Sequence, residues 1–441
     1  MAKIIGLENQ RKGLKGKHKV ITVDPNEVKV LMHCDYNCNT GFGNVAKHFI
    51  DELRKDKNYT IVIHGINDFS KETYVEDDKL LVKPSYLNKK GDPYGRIDVL
   101  NALYQSDFDI FFMLNDIEVI SQMMEHVKNV QREKKKEGRP SFRMVTYSPV
   151  DSHVRKFDLK GFEYIDAPIT YTDYAKAHIE TTEPKMKGKM MILPHGVDTK
   201  VFHKLGEKKI MRTKLKMFGE QNKDAFVFGS VNRNQVRKDI GALLLGFAEF
   251  KKRQPKRKSV LYLHCNPEDV SGINLYRACE RLGLEYKKDI FFPEKFSENK
   301  GLSLSELNAI YGVMDVFVTT TTAEGWGLTV TEAMATETPV ISPTHTALFE
   351  VTGKAKLVEE LHTAHEMIFI QDFEKIRSVC DPFEVANAMD RMFDAIIDPL
   401  GVNGQMVIGR TKKALSFVKK LKWPEISAKF KTIMDDQKVR K

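Results

Sequence analysis

Two hydrophobic patterns alternate along most of the chain. Short apolar, β-branched runs stand out at 28–33, 60–64, 109–114, 143–147, 169–172 and 190–193. Each is bounded by polar or Gly- and Pro-containing segments and reads as a strand. Between them lie 44–54, 97–105, 117–136 and 174–182, where apolar residues recur every three or four positions. Those read as amphipathic helices; in the first, Val45, Phe49, Ile50 and Leu53 share one face. After a Lys-rich connector at 204–223 the alternation resumes. Strands are expected at 225–231, 260–264, 290–293, 316–319 and from Pro339, with helices to about 250 and at 271–282, 303–313 and 328–336. From Pro382 on the pattern is helical, and Trp423-Pro424 marks a break between two helices. Alternating β and α elements imply parallel sheets covered on both faces, so the expected class is α/β. Ligands of such sheets sit beyond the carboxyl ends of the strands.

A length of 441 residues suffices for two domains, each with its own core. The connector sets the expected division: a first domain over 1–204 with a basic arm at 1–27, a second over 205–415, and a final helix over 416–441. With 41% hydrophobic and 29% charged residues the composition is that of a globular protein. The N-terminal MAKIIGLENQRKGLKGKHK lacks the apolar core of a signal peptide, and no apolar run approaches the ~18 residues of a membrane span. Five scattered cysteines argue for a reducing compartment, so a cytoplasmic location is expected, in a host cell if the source is viral. Cys34 and Cys38 beside His33 do not make a zinc spacing, and no metal is expected.

The net charge is +10, from 70 basic and 60 acidic residues. Basic clusters lie at Arg11–Lys19, Lys128–Arg139, Lys185–Lys189, Lys251–Lys258 and Lys412–Lys422. Singly, each reads as a solvated face. Together they suggest a polyanionic partner, DNA or an anionic membrane surface, and charge does not choose between these.

The stretch 315–342, DVFVTTTTAEGWGLTVTEAMATETPVIS, carries the densest chemistry. A buried strand leads through threonines into Glu324-Gly325-Trp326-Gly327, and a helix begins at Leu328-Thr329. Glycines beside Trp326 let backbone approach a ligand, and the helix start offers amides and a positive dipole end to an anion. Glu324 and Glu332 frame the turn with seven residues between them. Carboxylates beside an amide-rich helix start suit a ligand bearing phosphate and hydroxyls. Elsewhere, Arg233, Arg237 and Lys238 follow the strand at 225–231, where cations suit a diphosphate. Asp116 and Asp151 follow earlier strands, and for Asp116 an N-cap and a catalytic role stay equally open. Gly41-x-Gly43-x-x-Ala46 imitates a dinucleotide fingerprint, but about seven residues separate it from its strand and no acid ends the next one. A nicotinamide dehydrogenase is thereby a weak alternative.

The segment EGWGLTVTEAMATETPVIS resembles the signature of the retaining glycosyltransferases of family 4, which have the GT-B architecture. Trp326 stands where that family has its usual aromatic, and Glu337 stands where it has a glycine, which puts the turn after the helix in doubt. The resemblance implies two Rossmann-like β/α/β domains facing across a cleft, with a C-terminal helix crossing back to the first. It also implies a nucleotide-diphosphate sugar, UDP- or GDP-linked, as donor substrate, and no other cofactor. Arg233 and Lys238 match the family's phosphate-binding pair. Glu332 is placed on the ribose, Glu324 on the transferred sugar, the amides of Gly327 to Thr329 on the phosphates, Gly325 and Trp326 against the donor, and Pro293 near the base. Gly41 and Gly43 fall to a glycine-rich loop facing the donor phosphates, His195, in the PHGVD segment ending the first domain, to donor binding, and Asp116 and Asp151 to catalysis on the acceptor side. The implied reaction is hexosyl or pentosyl transfer to a saccharide, a lipid-linked sugar or a similar hydroxyl. A hydroxymethylated DNA base is the alternative acceptor, with Phe42, Tyr36 and Tyr94 as candidate wedges. A sugar-nucleotide- or DNA-binding protein on a transferase fold is the non-enzymatic one.

Overall fold

The computed structural model describes residues 2–4, 21–24, 26–85, 92, 94–294, 302–370, 372 and 374–438. The basic cluster at Arg11–Lys19 lies outside them. Contacts divide the chain into two compact units. Met1–Val150, Val154–Pro194 and Trp423–Lys441 form the first; Asp151–His153 and His195–Lys422 form the second.

In the first unit, β1 (Ala2–Ile4) and β2 (Ile21–Val23) pair antiparallel on their own. The main sheet has eight strands: β3 (Val28–Asp35), β4 (Tyr59–Ile66), β5 (Tyr74–Asp77), β6 (Leu80–Pro84), β7 (Ile110–Leu114), β8 (Arg143–Ser148), β9 (Ala167–Thr170) and β10 (Met191–Ile192). Their order is β10-β9-β8-β7-β3-β4-β6-β5, and only β5 runs antiparallel to its neighbour. Strands β4, β6, β7 and β9 are buried at every position, as continuous apolar runs require when helices cover both faces. The covering helices are α1 (Gly41–Leu53), α2 (Arg96–Gln105), α3 (Ile117–Lys136) and α4 (Asp173–Thr182). The order reverses between β3 and β7, the topological switch point of this sheet.

The second unit opens with α5 (Glu207–Phe218) in the Lys-rich connector. Its six-stranded sheet is wholly parallel: β11 (Phe226–Val231), β12 (Ser259–His264), β13 (Ile290–Phe291), β14 (Val316–Val318), β15 (Val340–Pro343) and β16 (Glu359–Leu361). The order β13-β12-β11-β14-β15-β16 puts the switch point between β11 and β14. Helices α6 (Ile240–Arg253), α7 (Leu275–Arg281), α8 (Leu304–Val313) and α9 (Leu328–Ala335) alternate with the strands. A separate antiparallel hairpin follows, β17 (Thr363–Phe369) with β18 (Lys375–Cys380), and then α10 (Pro382–Ile397) and α11 (Val402–Val418). Val197 and Phe202 belong to this unit's core, and the amide of Val197 donates to Leu421 O. The units therefore part at Pro194/His195 and Lys422/Trp423, where the connector and helix pattern had suggested 204/205 and 415/416.

The last helix, α12 (Trp423–Asp436), packs on α1 within the first unit. Phe430 stacks on Phe49 at 4.0 Å and Trp423 stacks on His48 at 4.2 Å. Tyr59 Oη donates to Asp435 at 2.7 Å, and Lys431 reaches Asp56 at 3.0 Å. The expected return of the C-terminal helix is thus present.

Several local expectations need correction. Helix α1 starts at Gly41, not Asn44, because Thr40 caps it by accepting from the Gly43 amide at 2.9 Å. Gly41 and Gly43 are its first and third residues rather than part of a loop. The basic cluster on α3 is not all solvated: Lys134 is fully buried, donating to Asp107 at 2.6 Å and to Ser106 O at 2.8 Å. The turn after α9 keeps its form without the glycine, since Glu337 itself takes φ 59°. The hairpins β5–β6 and β17–β18 were not anticipated.

Candidate active site

The residues of the signature stretch and those after β11 meet at the switch point of the second sheet. Four consecutive threonines, Thr319 to Thr322, follow β14 and are all buried. Their polar groups tie down the loop after β11. Thr322 donates through Oγ1 and its amide to Arg237 O, at 2.9 and 2.8 Å, and Thr320 Oγ1 donates to Asp239 O at 2.8 Å. Asp239 then caps α6 from a left-handed backbone, accepting from Ala242 N at 3.2 Å. Arg237 and Lys238 are thereby fixed beside Glu324.

Lys238 Nζ donates to Glu324 Oε1 in a pair that is about nine-tenths buried. Arg237 Nη1 lies 3.8 Å from Glu324 Oε2 and donates to Ala323 O at 3.2 Å. Burial pushes the Lys238 ammonium down to about 8, and Glu324 resists that shift. Burial pushes Glu324 the other way, but Lys238 and Arg237 outweigh it and hold the carboxyl below its usual range. Both partners are charged at neutral pH. The Glu324 backbone is held in turn by Thr346, whose Oγ1 accepts from Glu324 N and donates to Glu324 O, each at 3.2 Å.

The turn beyond Glu324 is shaped for close approach. Gly327 has φ 95°, and a Cβ there would lie 2.7 Å from Leu348 Cδ2. As the cap of α9 it offers no side chain to the first amides of the helix, at Leu328 and Thr329. Trp326 is buried, its ring 5.6 Å from that of His195. Burial pushes His195 down to about 3, so its imidazole is neutral. Glu332, in the second turn of α9, accepts from Tyr311 Oη at 2.7 Å. Burial raises it to about 7 against the pull of that bond.

Asp151 clusters with the second unit and meets two cations that the motifs did not flag. Arg377 Nη2 reaches Asp151 Oδ2 at 3.1 Å, Arg377 Nη1 donates to Asp151 O at 3.1 Å, and Lys375 lies 3.3 Å from Asp151 Oδ1. Arg377 is almost fully buried and also donates to Asp372 at 2.6 Å. Burial favours protonation of Asp151, but Lys375, Arg377 and Arg237 outweigh it and hold the carboxyl well below the usual range. The shared influence of Arg237 joins Asp151 to the Glu324 group electrostatically.

The remaining candidates stand apart. Arg233 is half exposed and donates to Asp269 at 2.8 Å and to Ser271 at 3.3 Å, so Arg237, not Arg233, is the arginine at Glu324. Pro293 follows β13 beside buried Phe292. In the first unit, Asp116 occupies the N-cap position of α3 but makes no capping bond. Gly43 is packed so that a Cβ would lie 2.6 Å from Cys38 O. Sequence reasoning missed Lys375, Arg377, Tyr311 and the threonine run. Only the threonines had a visible signal, four polar residues where a strand enters a loop.

Residues 225–368 match the family model described as glycosyl transferases group 1. The chain resembles HepE of Anabaena in complex with UDP and glucose, at 12% identity and TM-score 0.62, over 93% of this chain and 100% of that one. It also resembles a glycosyltransferase of Rickettsia africae, at 14% identity and TM-score 0.65, over 93% and 99%. Sucrose-phosphate synthase of Thermosynechococcus elongatus gives 13% and 0.66, over 93% and 98%. No curated protein matches the chain. The fold is GT-B, with two Rossmann-like domains. Among the described residues no helix is long and apolar enough to cross a membrane.

Proposed function

We propose that the protein is a retaining glycosyltransferase that moves a sugar from a nucleotide-diphosphate sugar to an acceptor hydroxyl. The observation that carries this reading is the Lys238–Glu324 pair with Arg237 beside it, at the open N-terminus of α9. The group 1 match over residues 225–368 supports the reaction class, and the UDP bound to HepE supports a uridine donor.

In this reading the donor diphosphate takes over Lys238, with Arg237 and the amides of Leu328 and Thr329 around it, and Arg233 joins only by leaving Asp269. Glu324 is then released to accept from hydroxyls of the transferred sugar. Glu332 accepts from the ribose hydroxyls, and Phe292-Pro293 borders the base. The bond between the anomeric carbon and the diphosphate oxygen breaks, and the cations stabilise the charge left on that oxygen. The acceptor oxygen attacks the same face of the anomeric carbon, and its proton passes to the departing phosphate. Configuration is retained and the charges balance. Asp151, kept as a carboxylate, accepts from the acceptor hydroxyl and orients it, with Asp116 as a second acceptor-side residue. The acceptor is a saccharide or a lipid-linked sugar. The net charge of +10 favours a second reading, a hydroxymethylated base in DNA.

The test is turnover with a panel of UDP- and GDP-sugars against oligosaccharides, lipid-linked sugars and a hydroxymethyl-cytosine duplex. Proton NMR of the product anomeric centre reads the stereochemistry. Transfer with retention upholds the reading. Inversion removes the mechanism, and the absence of donor binding and hydrolysis alike removes the transferase. Sugar incorporated only into the duplex, with a steep salt dependence, makes DNA the acceptor.

A further inference from the structure

Buried polar atoms in a folded chain are nearly always hydrogen-bonded, and an orphan marks a place where something else is meant to bond. Among the described residues of the second unit, Asn232 Oδ1, Trp326 Nε1 and both ring nitrogens of His345 are buried without a hydrogen-bond partner. Asn232 follows β11, Trp326 follows β14 and His345 follows β15, three strands adjacent in the sheet. The orphans therefore line the carboxyl ends around the switch point, on either side of Glu324. His345 adjoins the residue that grips the Glu324 backbone. Its ring touches no stacking partner among the described contacts, and that neighbour, Thr346, holds Glu324 from a left-handed φ of 51°.

The chemistry of the pair is complementary. Burial pushes His345 down to about 4, a shift that Glu324 and the nearby backbone of Thr321 and of His345 itself oppose and Arg377 reinforces, so the imidazole is neutral at physiological pH. A neutral imidazole offers one donor and one acceptor, while a carboxylate only accepts. A sugar hydroxyl both donates and accepts. It satisfies the two together by giving its proton to Glu324 and accepting from the imidazole N–H. A phosphate oxygen, which only accepts, leaves Glu324 unanswered.

We propose that His345 is a sugar-specificity residue whose imidazole, with the Glu324 carboxylate, grips one hydroxyl of the transferred sugar. This rests on the donor reading above and assigns the sugar half of the donor, rather than the nucleotide half, to the loop after β15.

The test is titration calorimetry of the wild type, His345→Ala and His345→Asn with UDP and UDP-glucose, and with GDP and GDP-mannose. For the donor pair the wild type accepts, His345→Ala is expected to weaken the sugar nucleotide about tenfold, one neutral hydrogen bond. Affinity for the bare nucleotide stays the same. His345→Asn, which keeps a donor and an acceptor, recovers most of the loss. Equal losses for nucleotide and sugar nucleotide mean that His345 only shapes the loop, and no loss for either means that a water satisfies it; both overturn the proposal. A wild type that binds none of the four ligands sinks the transferase reading itself, a different failure.

Discussion

The turns from β3 into α1 and from β14 into α9 are built alike and end differently. Each leaves a switch-point strand and enters a helix at glycines, which are the first and third residues of α1 and, in Gly327, the cap of α9. At α1 the chain closes its own helix end. Thr40 accepts from the Gly43 amide at 2.9 Å and donates to Asp35 Oδ2 at 2.5 Å, and Asn67 bonds the other Asp35 oxygen at 3.0 Å. A carboxylate from the strand thus stands, through one hydroxyl, at the positive end of the helix. At α9 the cap is Gly327, with no side chain to offer, and the nearby carboxylate of Glu324 is taken by Lys238. The helix start is capped by a side chain in one unit and left without one in the other. Glycine spacing alone does not tell the two apart; the cap residue does.

The comparison breaks most severely at Lys238. Lys238→Ala removes the cation paired with Glu324 and leaves that carboxylate buried without its partner. Loss of such a preorganised charge is expected to cost on the order of 100- to 1000-fold in kcat, read by donor hydrolysis with melting followed in parallel. Arg233→Ala, whose guanidinium points to Asp269, is expected to cost less. If Arg233→Ala is the more damaging, the diphosphate sits on the other side of the loop.

Next in size is Gly327→Ala. A φ of 95° is strained for any residue with a Cβ, and that carbon meets Leu348 at 2.7 Å. The variant is expected to lose about 1–3 kcal/mol of stability in denaturant melts, together with donor affinity. Unchanged affinity in a destabilised protein means that the glycine serves the turn and not the ligand.

Much of this was legible in the chain, and the remainder failed for physical reasons. Strands β3, β4, β7, β8 and β11 and helix α3 stood out because burial on both faces or one stripe leaves a local period. Glu324 and Glu332 could be picked out together because one continuous loop-to-helix stretch carries both. Arg377 and Asp151 are 226 residues apart, and no local period records a contact of that separation. The choice of Arg237 over Arg233 beside Glu324 follows from Thr322 gripping the Arg237 carbonyl, another long-range bond. The hairpin β17–β18 escaped because β17 is exposed on both faces, and an exposed strand has no hydrophobic alternation to read.

A pH profile sharpens the contrast more gently. Glu332 is raised by burial to about 7 from an ordinary value of 4.5, so between those values the native chain binds a proton that the unfolded chain has released. Stability from this group is complete below about pH 4.5 and is lost as the pH rises through about 7. The difference between wild type and Glu332→Gln in urea midpoint is expected to shift against the wild type across that window. A flat difference means that the carboxyl is solvated in the native state. At α1, burial raises the Asp35 carboxyl in the same direction, against the bonds from Thr40 and Asn67.

The smallest expected effect is the most direct test of the comparison. Thr40→Ala deletes the hydroxyl that closes α1, freeing the Gly43 amide and one oxygen of Asp35 at once. Loss of a threonine cap costs about 1 kcal/mol, read as a lower urea midpoint. If α1 is closed for structural reasons alone, donor affinity and kcat do not change, because that helix end never meets the diphosphate. If donor affinity falls well beyond what the stability loss explains, Gly41 and Gly43 serve the donor phosphates after all. If affinity rises, the opened helix end has gained an anion site of the kind proposed for α9. Only the first outcome leaves the two turns as different as their caps make them.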